Sequence, residues 1–163
     1  MLERNSDLFI VGRVCSALVI TTNGTVKNDG LAVMGRGVAL TARKQFKGVD
    51  RRLGDLIKAN GNIVQVIGRR RWHGHPYSVV SFPVKHSWWE EADIDLIGKS
   101  TRQLKELADE EGWSLVALPR PGCGNGKLEW KKVRRVLLRA LDDRFVIVNN
   151  EGNNGAETFV CHR

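Results

Sequence analysis

Three alternating glycines open a loop that could hold a phosphate group. The apolar run Val116–Leu118 stops at Pro119, and Gly122, Gly124 and Gly126 follow before a segment with a helical pattern. Glycine lets the backbone approach a ligand closely, and the amides at the start of the next helix then point at an anion. A tight strand-to-helix turn without a ligand would use the same residues. The spacing matches neither the Walker phosphate loop nor the dinucleotide fingerprint.

A second loop has the same character. A predicted strand over residues 17–22 is followed by Gly24, Asn28, Gly30 and the run 34–38, which leads into a helical pattern. Both loops follow strands, and open α/β sheets bind their ligands at the carboxyl ends of the strands. The two loops together predict a site that holds one ligand, and a diphosphate bridged between them is the simplest candidate.

The composition is that of an ordinary globular protein. The 163 residues are 42% hydrophobic and 27% charged, which suits a single domain over residues 1–163. No segment reaches the roughly 20 apolar residues of a membrane span. The amino terminus is too polar for a signal peptide, so a cytoplasmic location is expected. Cys15, Cys123 and Cys161 lack metal-ligand spacing and favour reduced thiols; no metal and no cofactor are predicted.

A net charge of +8 favours polyanionic or phosphate-bearing ligands. Arg69, Arg70 and Arg71 concentrate this charge next to Trp72 and His73. Cations mixed with aromatic side chains are typical of surfaces that contact nucleic acid. A solvated turn between two strands is the alternative, and it is the more common explanation of such a run.

Strands and helices alternate along the chain, which predicts a three-layer α/β/α domain. Asp93 as a cap and Gly112 as a stop define the clearest helix, over residues 93–111. The first two predicted strands favour a mixed central sheet over an all-parallel one. Strands are predicted over residues 7–11, 17–22, 62–68, 77–82, 114–118 and 144–149, with an edge strand over 158–161 after a loop at 151–155. The other helices are predicted over 37–46, 51–59 and 129–141.

Four segments in order resemble the macrodomain family, in particular phage-borne macrodomains, terminal ADP-ribose glycohydrolases and the antitoxins that remove ADP-ribose from DNA. These segments are the strand ending at Thr22 and Asn23, the loop over residues 33–39, residues 81–85, and residues 119–130. The resemblance covers nearly the whole chain. It implies a macrodomain-like mixed sheet between helices, which binds ADP-ribose in a crevice at the strand ends, and a host-cytoplasm location if the protein is phage-encoded.

The same resemblance assigns candidate ligand-binding residues. Asp7 is the candidate for the aspartate that binds the adenine amino group, unless it is a surface residue at a strand start. The other register puts Arg13 there, which removes the acceptor. Asn23 and Asn28 compete for the role of the ribose-binding asparagine. The two glycine loops would hold the diphosphate from either side. The full predicted set is Asp7, Asn23, Asn28, Met34, Gly35, Gly37, Val38, Gly122, Cys123, Gly124, Asn125 and Gly126.

Lys85 is the catalytic residue that the resemblance implies, unless it is a solvent-facing lysine in a loop. Glycohydrolases of the family use a lysine directly after the Phe-Pro strand end, which attacks or stabilises the anomeric carbon. Gly126 stands where the terminal glycohydrolases carry an aspartate, and glycine cannot act as an acid or base. The DNA-directed antitoxins also carry Gly-Cys-Gly-Asn-Gly here, so this departure does not exclude activity. Glu129 offers another carboxylate, although a glutamate in a first helical turn is also explained by the helix dipole.

Other side chains near these motifs have simpler alternatives. Cys123 could have a depressed pKa in a phosphate loop, although a small packed residue is the simpler role. His86 could shuttle a proton, but neighbouring side chains on an extended segment point in opposite directions. Trp88 and Trp89 would form a wall or lid of the crevice, with one of the two in the core.

The leading hypothesis is an ADP-ribosyl glycohydrolase that acts on protein or nucleic acid. A phosphatase acting on phosphorylated ADP-ribose is the second enzymatic alternative. A non-catalytic module that binds ADP-ribose or a related nucleotide signal is the third. The expected partners are ADP-ribose and ADP-ribosylated protein or nucleic acid, with nucleic-acid contact through Arg69, Arg70 and Arg71 and no membrane contact.

Overall fold

Six strands form one sheet in the computed structural model, which describes residues 1–149. All neighbouring strands pair in parallel except β3 and β4, which form an antiparallel hairpin; in sheet order the strands are β1 (Leu2–Asn5), β6 (Phe145–Asn149), β5 (Val116–Leu118), β2 (Ala17–Asn23), β4 (His75–Lys85) and β3 (Gln65–Trp72). The predicted mixed sheet is therefore confirmed.

Helices cover both faces of this sheet. One face carries α1 (Leu8–Gly12), α2 (Gly37–Gln45) and α3 (Val49–Asn60), and the other carries α4 (Ile94–Glu111) and α5 (Trp130–Leu137). Side chains alternate between the two faces along a strand. Leu18 and Ile20 of β2 pack with the first group of helices, and Val19 packs with the second. The result is the predicted α/β/α arrangement with two apolar cores.

The first predicted strand is wrong, because residues 8–12 form α1 and the strand lies earlier, in β1. The Asp7 carboxylate accepts hydrogen bonds from the amides of Phe9 and Ile10, and this capping turns the apolar run into a helix. The antiparallel pair is therefore not made by the first two strands. The antiparallel pair is formed by β3 and β4, which are joined by a turn at His73 and Gly74, both with positive φ.

Several element boundaries also differ from the prediction. β4 continues through Pro83 to Lys85, and the register of its pairing with β2 shifts just beside the proline. The arginine run lies within β3 rather than in a turn, and α5 ends at Leu137, before the predicted residue 141. The predicted loop at 151–155, the edge strand at 158–161 and Cys161 lie outside the described residues. Within residues 1–149, no helix has both the length and the apolar character needed to cross a membrane.

Gly54 allows α3 to pack against the loop that precedes α2. A Cβ at this position would overlap the carbonyl oxygen of Gly30 and lie 3.1 Å from the amide nitrogen of Ala32. Although alanine is usually the better helix former by about 1 kcal/mol, we expect Gly54→Ala to lower the free energy of unfolding by about 1–3 kcal/mol. Urea unfolding measures this change.

Gly98, in the interior of α4, provides the matched control for this prediction. A Cβ there would make only ordinary contacts, with the nearest atom at 3.6 Å. Gly98→Ala should therefore raise the free energy of unfolding by up to about 1 kcal/mol, as helix propensity alone predicts. Equal gains in both variants would contradict the close approach of α3 to the loop.

Candidate functional site

Five parallel strands end at one edge of the sheet. Neighbouring strands lie about 4.8 Å apart, so the edge from β1 to β4 is about 19 Å long. Asp7 follows β1, the segment leading to the first glycine loop (residues 34–38) follows β2, the second glycine loop (residues 122–126) follows β5, and Lys85 ends β4. Asp7, both glycine loops and Lys85 therefore share one elongated edge, which we call the crevice.

Asn125 is the point where both glycine loops and β4 meet. The Nζ atom of Lys85 donates a hydrogen bond to the carbonyl oxygen of Asn125, at 3.3 Å. A Cβ on Gly37 would lie 3.2 Å from the side-chain nitrogen of the same asparagine. The predicted catalytic lysine and the two loops thus converge in space, although 40 positions separate Lys85 from Asn125.

The first glycine loop delivers the amino end of α2 to the crevice. Gly37, the first residue of α2, has a φ angle of +56°. The side chain of Arg36, at the cap position, makes no capping hydrogen bond, and the first turn of α2 contains no acidic residue. Uncapped amides and the positive end of the helix dipole favour an anion at this position. Met34 is a buried core residue, 1% exposed, and so presents no side chain to a ligand. Gly35 is exposed, and nothing lies within 4 Å of the position that a Cβ would take there.

Two glycines of the second loop leave no room for a side chain, whereas the third has open space around it. A Cβ on Gly122, which has a φ angle of +73°, would lie 2.9 Å from the side chains of Ala92 and Ile97. A Cβ on Gly126 would lie 2.5 Å from the carbonyl oxygen of Gly122 and 2.6 Å from Ala92. Gly124 has nothing within 4 Å of such an atom. The absence of an aspartate at position 126 thus has a steric reason, because the loop is closed against Ala92 there.

Asn23 and Asn28 occupy different parts of the segment between β2 and α2. Asn23 lies at the strand end, where its side chain donates to the carbonyl of Val33 at 3.0 Å and accepts from the amide of Thr25 at 2.9 Å. Asn28 is exposed at the tip of the segment, which is bound to α3 by a hydrogen bond from Arg51 to the carbonyl of Asp29. Asn23 is therefore the candidate that lies at the crevice edge.

Asp7 and Arg13 lie at opposite ends of α1. Both capping hydrogen bonds at Asp7, at 2.8 and 3.2 Å, are accepted by Oδ1, so its Oδ2 atom can accept a bond from a ligand. The guanidinium of Arg13 lies 4.3 Å from the ring centroid of Trp72, at the turn between β3 and β4. That turn is at the opposite edge of the sheet. Arg13 therefore lies away from the crevice, and Asp7 stays the candidate for the adenine position.

The arginine run of β3 also lies towards the opposite edge. Arg69 forms two hydrogen bonds with Glu111, at 2.9 and 3.1 Å, and this contact holds the pKa of the Glu111 carboxyl below its usual value. Arg70 lies over the ring of Phe46, and Arg71 donates to the carbonyl of Gly74. Ten residues of β4 separate this turn from Lys85, a distance of about 33 Å. The run is not part of the crevice.

Cys123 is not an activated thiol. Burial raises the pKa of its Sγ–H group, against a smaller opposite effect of the Arg120 charge. Its Sγ atom lies 3.5 Å from the carbonyl oxygen of Pro121. The depressed pKa considered from the sequence is therefore wrong, and a packing role is favoured.

The side chains of Lys85 and His86 contact different partners. The Nε2 atom of His86 lies 2.8 Å from Oδ2 of Asp93, and this hydrogen bond is the main reason that the pKa of the Asp93 carboxyl is lowered. The other oxygen of Asp93 caps α4. His86 thus links the end of β4 to α4, a pairing that residue spacing did not predict.

Trp88 and Trp89 are both exposed, at 52% and 66%, so the expectation that one of them lies in the core is wrong. Their rings are perpendicular, with centroids 5.8 Å apart. The amide of Trp88 donates to the hydroxyl of Thr25 at 3.1 Å. Sequence reasoning missed Thr25, because 63 positions separate it from Trp88 and no local motif marks it.

A recess of about 220 Å³ lies at the other end of the same edge, where β1 and β6 finish, and is lined by Glu3, Arg4, Asn5, Arg120, Ile147 and Asn149. Asp7, the candidate for adenine binding, lies two residues after Asn5 of this lining. Within residues 1–149, no three His, Cys, Asp or Glu side chains are grouped so that they could hold a metal ion.

Comparison with known proteins identifies the family. A family model described as Macro domain matches residues 28–137, which is well over half of the chain. The chain belongs to the macrodomain family. The macrodomain-like fold predicted from the sequence is thereby confirmed.

The curated relatives of this macrodomain are larger proteins. It is 29% identical over 139 residues to a Thermus aquaticus protein named DNA ADP-ribosyl glycohydrolase, covering 82% of this chain and 37% of that protein. It resembles the macrodomain of Mycobacterium tuberculosis DarG, with a TM-score of 0.74, 24% identity, and coverage of 90% of this chain and 95% of that one. It also resembles the structure of Thermosipho africanus DarTG in complex with ADP-ribose, with a TM-score of 0.74 and 25% identity. That match covers 87% of this chain and 39% of the other. The chain spans about a third of the length of its curated relatives.

Proposed function

We propose that this macrodomain binds ADP-ribose in the crevice and hydrolyses the bond that joins its distal ribose to DNA. The convergence of Lys85 and both glycine loops on Asn125 is the observation that carries this proposal. Two relatives support it: the Thermus aquaticus protein is named for this activity, and the Thermosipho africanus structure holds ADP-ribose.

The ligand would lie along the edge of the sheet. Adenine would occupy the end near Asp7, where Oδ2 can accept a hydrogen bond from its amino group. The diphosphate would lie between the glycine loops, on the uncapped amides of α2, because an anion is favoured there. The distal ribose would then reach Asn23 and Lys85 at the ends of β2 and β4. An edge of about 19 Å accommodates such an extended ligand.

The reaction would be a hydrolysis at C1″ of the distal ribose. The hydroxyl of a water molecule bonds to C1″ while the bond from C1″ to the DNA atom breaks and leaves its electron pair on that atom. The DNA atom takes up a proton, so the products are free ADP-ribose and unmodified DNA. The Nζ atom of Lys85 would lie beside the breaking bond and stabilise the negative charge that develops on the departing DNA atom. The second glycine loop contributes no acid or base, because position 126 has no room for a side chain.

Gly35→Glu tests the binding part of the proposal. The new side chain meets nothing within 4 Å of its Cβ, so the fold should tolerate it, but it places a negative charge at the amino end of α2. We expect the Kd for ADP-ribose to rise about 100-fold or more, which corresponds to about 2.7 kcal/mol. Isothermal titration calorimetry measures the change.

Two further variants separate charge from size in this test. Gly35→Ala keeps the site neutral and should bind ADP-ribose more tightly than Gly35→Glu. Pro76→Glu adds the same charge at the exposed start of β4, nine residue steps or about 30 Å from Lys85. Its Kd should stay within about twofold of the starting protein, because an exposed charge beyond a Debye length is screened. Unchanged ADP-ribose binding by Gly35→Glu would remove the first glycine loop from the site.

The phosphatase and the non-catalytic module would use the same crevice, so the products distinguish them. The proposed hydrolase releases ADP-ribose from modified DNA with turnover. A phosphatase would instead release inorganic phosphate from phosphorylated ADP-ribose, and a binding module would release neither product. If ADP-ribose binding is intact, release of inorganic phosphate would replace the hydrolase with the phosphatase, and release of neither product would replace it with the binding module.

A further inference from the structure

Two adjacent tryptophans lie next to the proposed catalytic lysine without covering any apolar core. Trp88 and Trp89 follow Lys85 by only a few residues, which limits the separation of Trp88 from Lys85 to about 11 Å. Neither ring belongs to the two buried clusters that form the cores. Exposed aromatic side chains of this size are common at binding surfaces, because they gain contact area when a partner covers them.

The backbone that carries these rings is fixed on both sides. The amide of Trp88 donates to Thr25, and the amide of Gly24 donates to the carbonyl of His86 at 3.1 Å. Within the turn, Ser87 and Glu90 exchange hydrogen bonds, with the Ser87 amide donating to the Glu90 carboxylate at 3.1 Å. The two rings are therefore presented at the crevice rim by a backbone that is already positioned, which reduces the entropy lost on binding.

We propose that Trp88 and Trp89 form a platform on which a base of single-stranded DNA stacks, beside the nucleotide that carries ADP-ribose. This inference rests on the proposed function, which places the bond to be broken at Lys85. Base–aromatic stacking is tolerant of sequence and contributes to binding at each stacked base. The platform would hold the DNA strand while the crevice holds the ADP-ribose.

The acidic residues beside the platform are engaged in contacts of their own. The carboxylate of Glu90 accepts a hydrogen bond from the Ser87 amide, and that of Glu91 lies 3.6 Å from Nζ of Lys127, directly after the second glycine loop. These contacts reduce the repulsion that the carboxylates would exert on DNA phosphates. An acidic peptide carrying ADP-ribose is the other substrate that could reach this rim, and the test below includes it.

Trp72 provides a matched control within the same chain. It is 40% exposed, but the Arg13 guanidinium lies over its ring, and it stands at the opposite edge of the sheet from Lys85. If the arginine run of β3 were the DNA-binding surface, Trp72 would matter and the Trp88–Trp89 pair would not. The two locations therefore give opposite predictions.

The experiment compares Trp88→Ala, Trp89→Ala and Trp72→Ala in the full chain. The substrates are a single-stranded oligonucleotide carrying ADP-ribose on one base, the corresponding ADP-ribosylated nucleoside, and an ADP-ribosylated peptide. Loss of the platform should lower kcat/KM for the oligonucleotide about 10-fold to 100-fold, mainly through KM. The nucleoside, the peptide and the Kd for free ADP-ribose should change less than about threefold, since each lacks a neighbouring base to stack. Trp88→Phe and Trp89→Phe should restore most of the loss.

Binding of unmodified oligonucleotide, measured by fluorescence anisotropy, separates this inference from the proposed function. A wild-type protein that releases no ADP-ribose but binds the oligonucleotide through Trp88 and Trp89 would refute the hydrolase and keep the platform. The platform is overturned if both alanine variants retain oligonucleotide binding and kcat/KM. It is also overturned if the alanine variants lower kcat/KM for the nucleoside or the peptide as much as for the oligonucleotide. The same holds if Trp72→Ala, and not the Trp88 and Trp89 variants, lowers kcat/KM for the oligonucleotide.

Discussion

Lys85→Ala should lower the rate of ADP-ribose release from modified DNA about 100-fold or more, because acid–base and electrostatic groups at a reacting bond contribute effects of this size. The Kd for free ADP-ribose should stay within about threefold, since the crevice keeps both glycine loops and loses one hydrogen bond at 3.3 Å. Single-turnover release, followed by chromatography, and calorimetry measure the two quantities separately. Loss of the chemistry with retention of the ligand is the expected pattern.

Lys85→Arg and Lys99→Ala complete this test. Arginine keeps the positive charge but cannot lose it at neutral pH, so partial rescue by Lys85→Arg would assign the lysine an electrostatic role. Attack by Nζ itself would pass through an imine with the opened ribose, and borohydride would trap that adduct on Lys85. Lys99, exposed on α4, should be replaceable by alanine without effect on release. Release by Lys85→Ala at the starting rate would refute the proposed role.

Gly126→Ala should damage both stability and binding, because its Cβ would lie 2.5 Å from the carbonyl of Gly122 and 2.6 Å from Ala92. Since the neighbouring atom is a backbone oxygen, relief requires movement of the second glycine loop. We expect the free energy of unfolding to fall by about 1–3 kcal/mol. The Kd for ADP-ribose should rise about 10-fold or more as Asn125 moves away from Lys85 and Gly37. Urea unfolding and calorimetry measure these changes.

Gly124→Ala is the matched control for stability, because nothing lies within 4 Å of a Cβ there. Its free energy of unfolding should stay within about 0.5 kcal/mol of the starting protein. Gly126→Asp extends the test, since it introduces the aspartate that the resemblance places here in terminal ADP-ribose glycohydrolases. It should unfold at least as easily as Gly126→Ala and gain no activity. A stable Gly126→Asp protein with faster release would show that the loop accommodates an acid after all.

Local patterns accounted for much of the fold. The α4 helix was predicted closely because its cap at Asp93, its stop at Gly112 and its apolar spacing all lie within one short segment. The strands β2 and β6 were predicted from short apolar runs for the same reason. The first strand was predicted wrongly because the apolar run after Asp7 suits a strand or a helix equally, and capping hydrogen bonds decided for the helix.

The sequence by itself determined the ingredients of the crevice. Glycine spacing, the lysine after the Phe-Pro pair and the resemblance to macrodomains identified both loops and Lys85, because each of these signals is contained in a few consecutive residues. Tertiary structure decided which residues meet: Lys85 with Asn125, Trp88 with Thr25, and the arginine run with Glu111 away from the crevice. These contacts join positions 40, 63 and 42 residues apart, and the order of strands in the sheet brings them together. Hydrogen bonds and packing across such separations depend on the folded sheet, so no pattern of neighbouring residues encodes them.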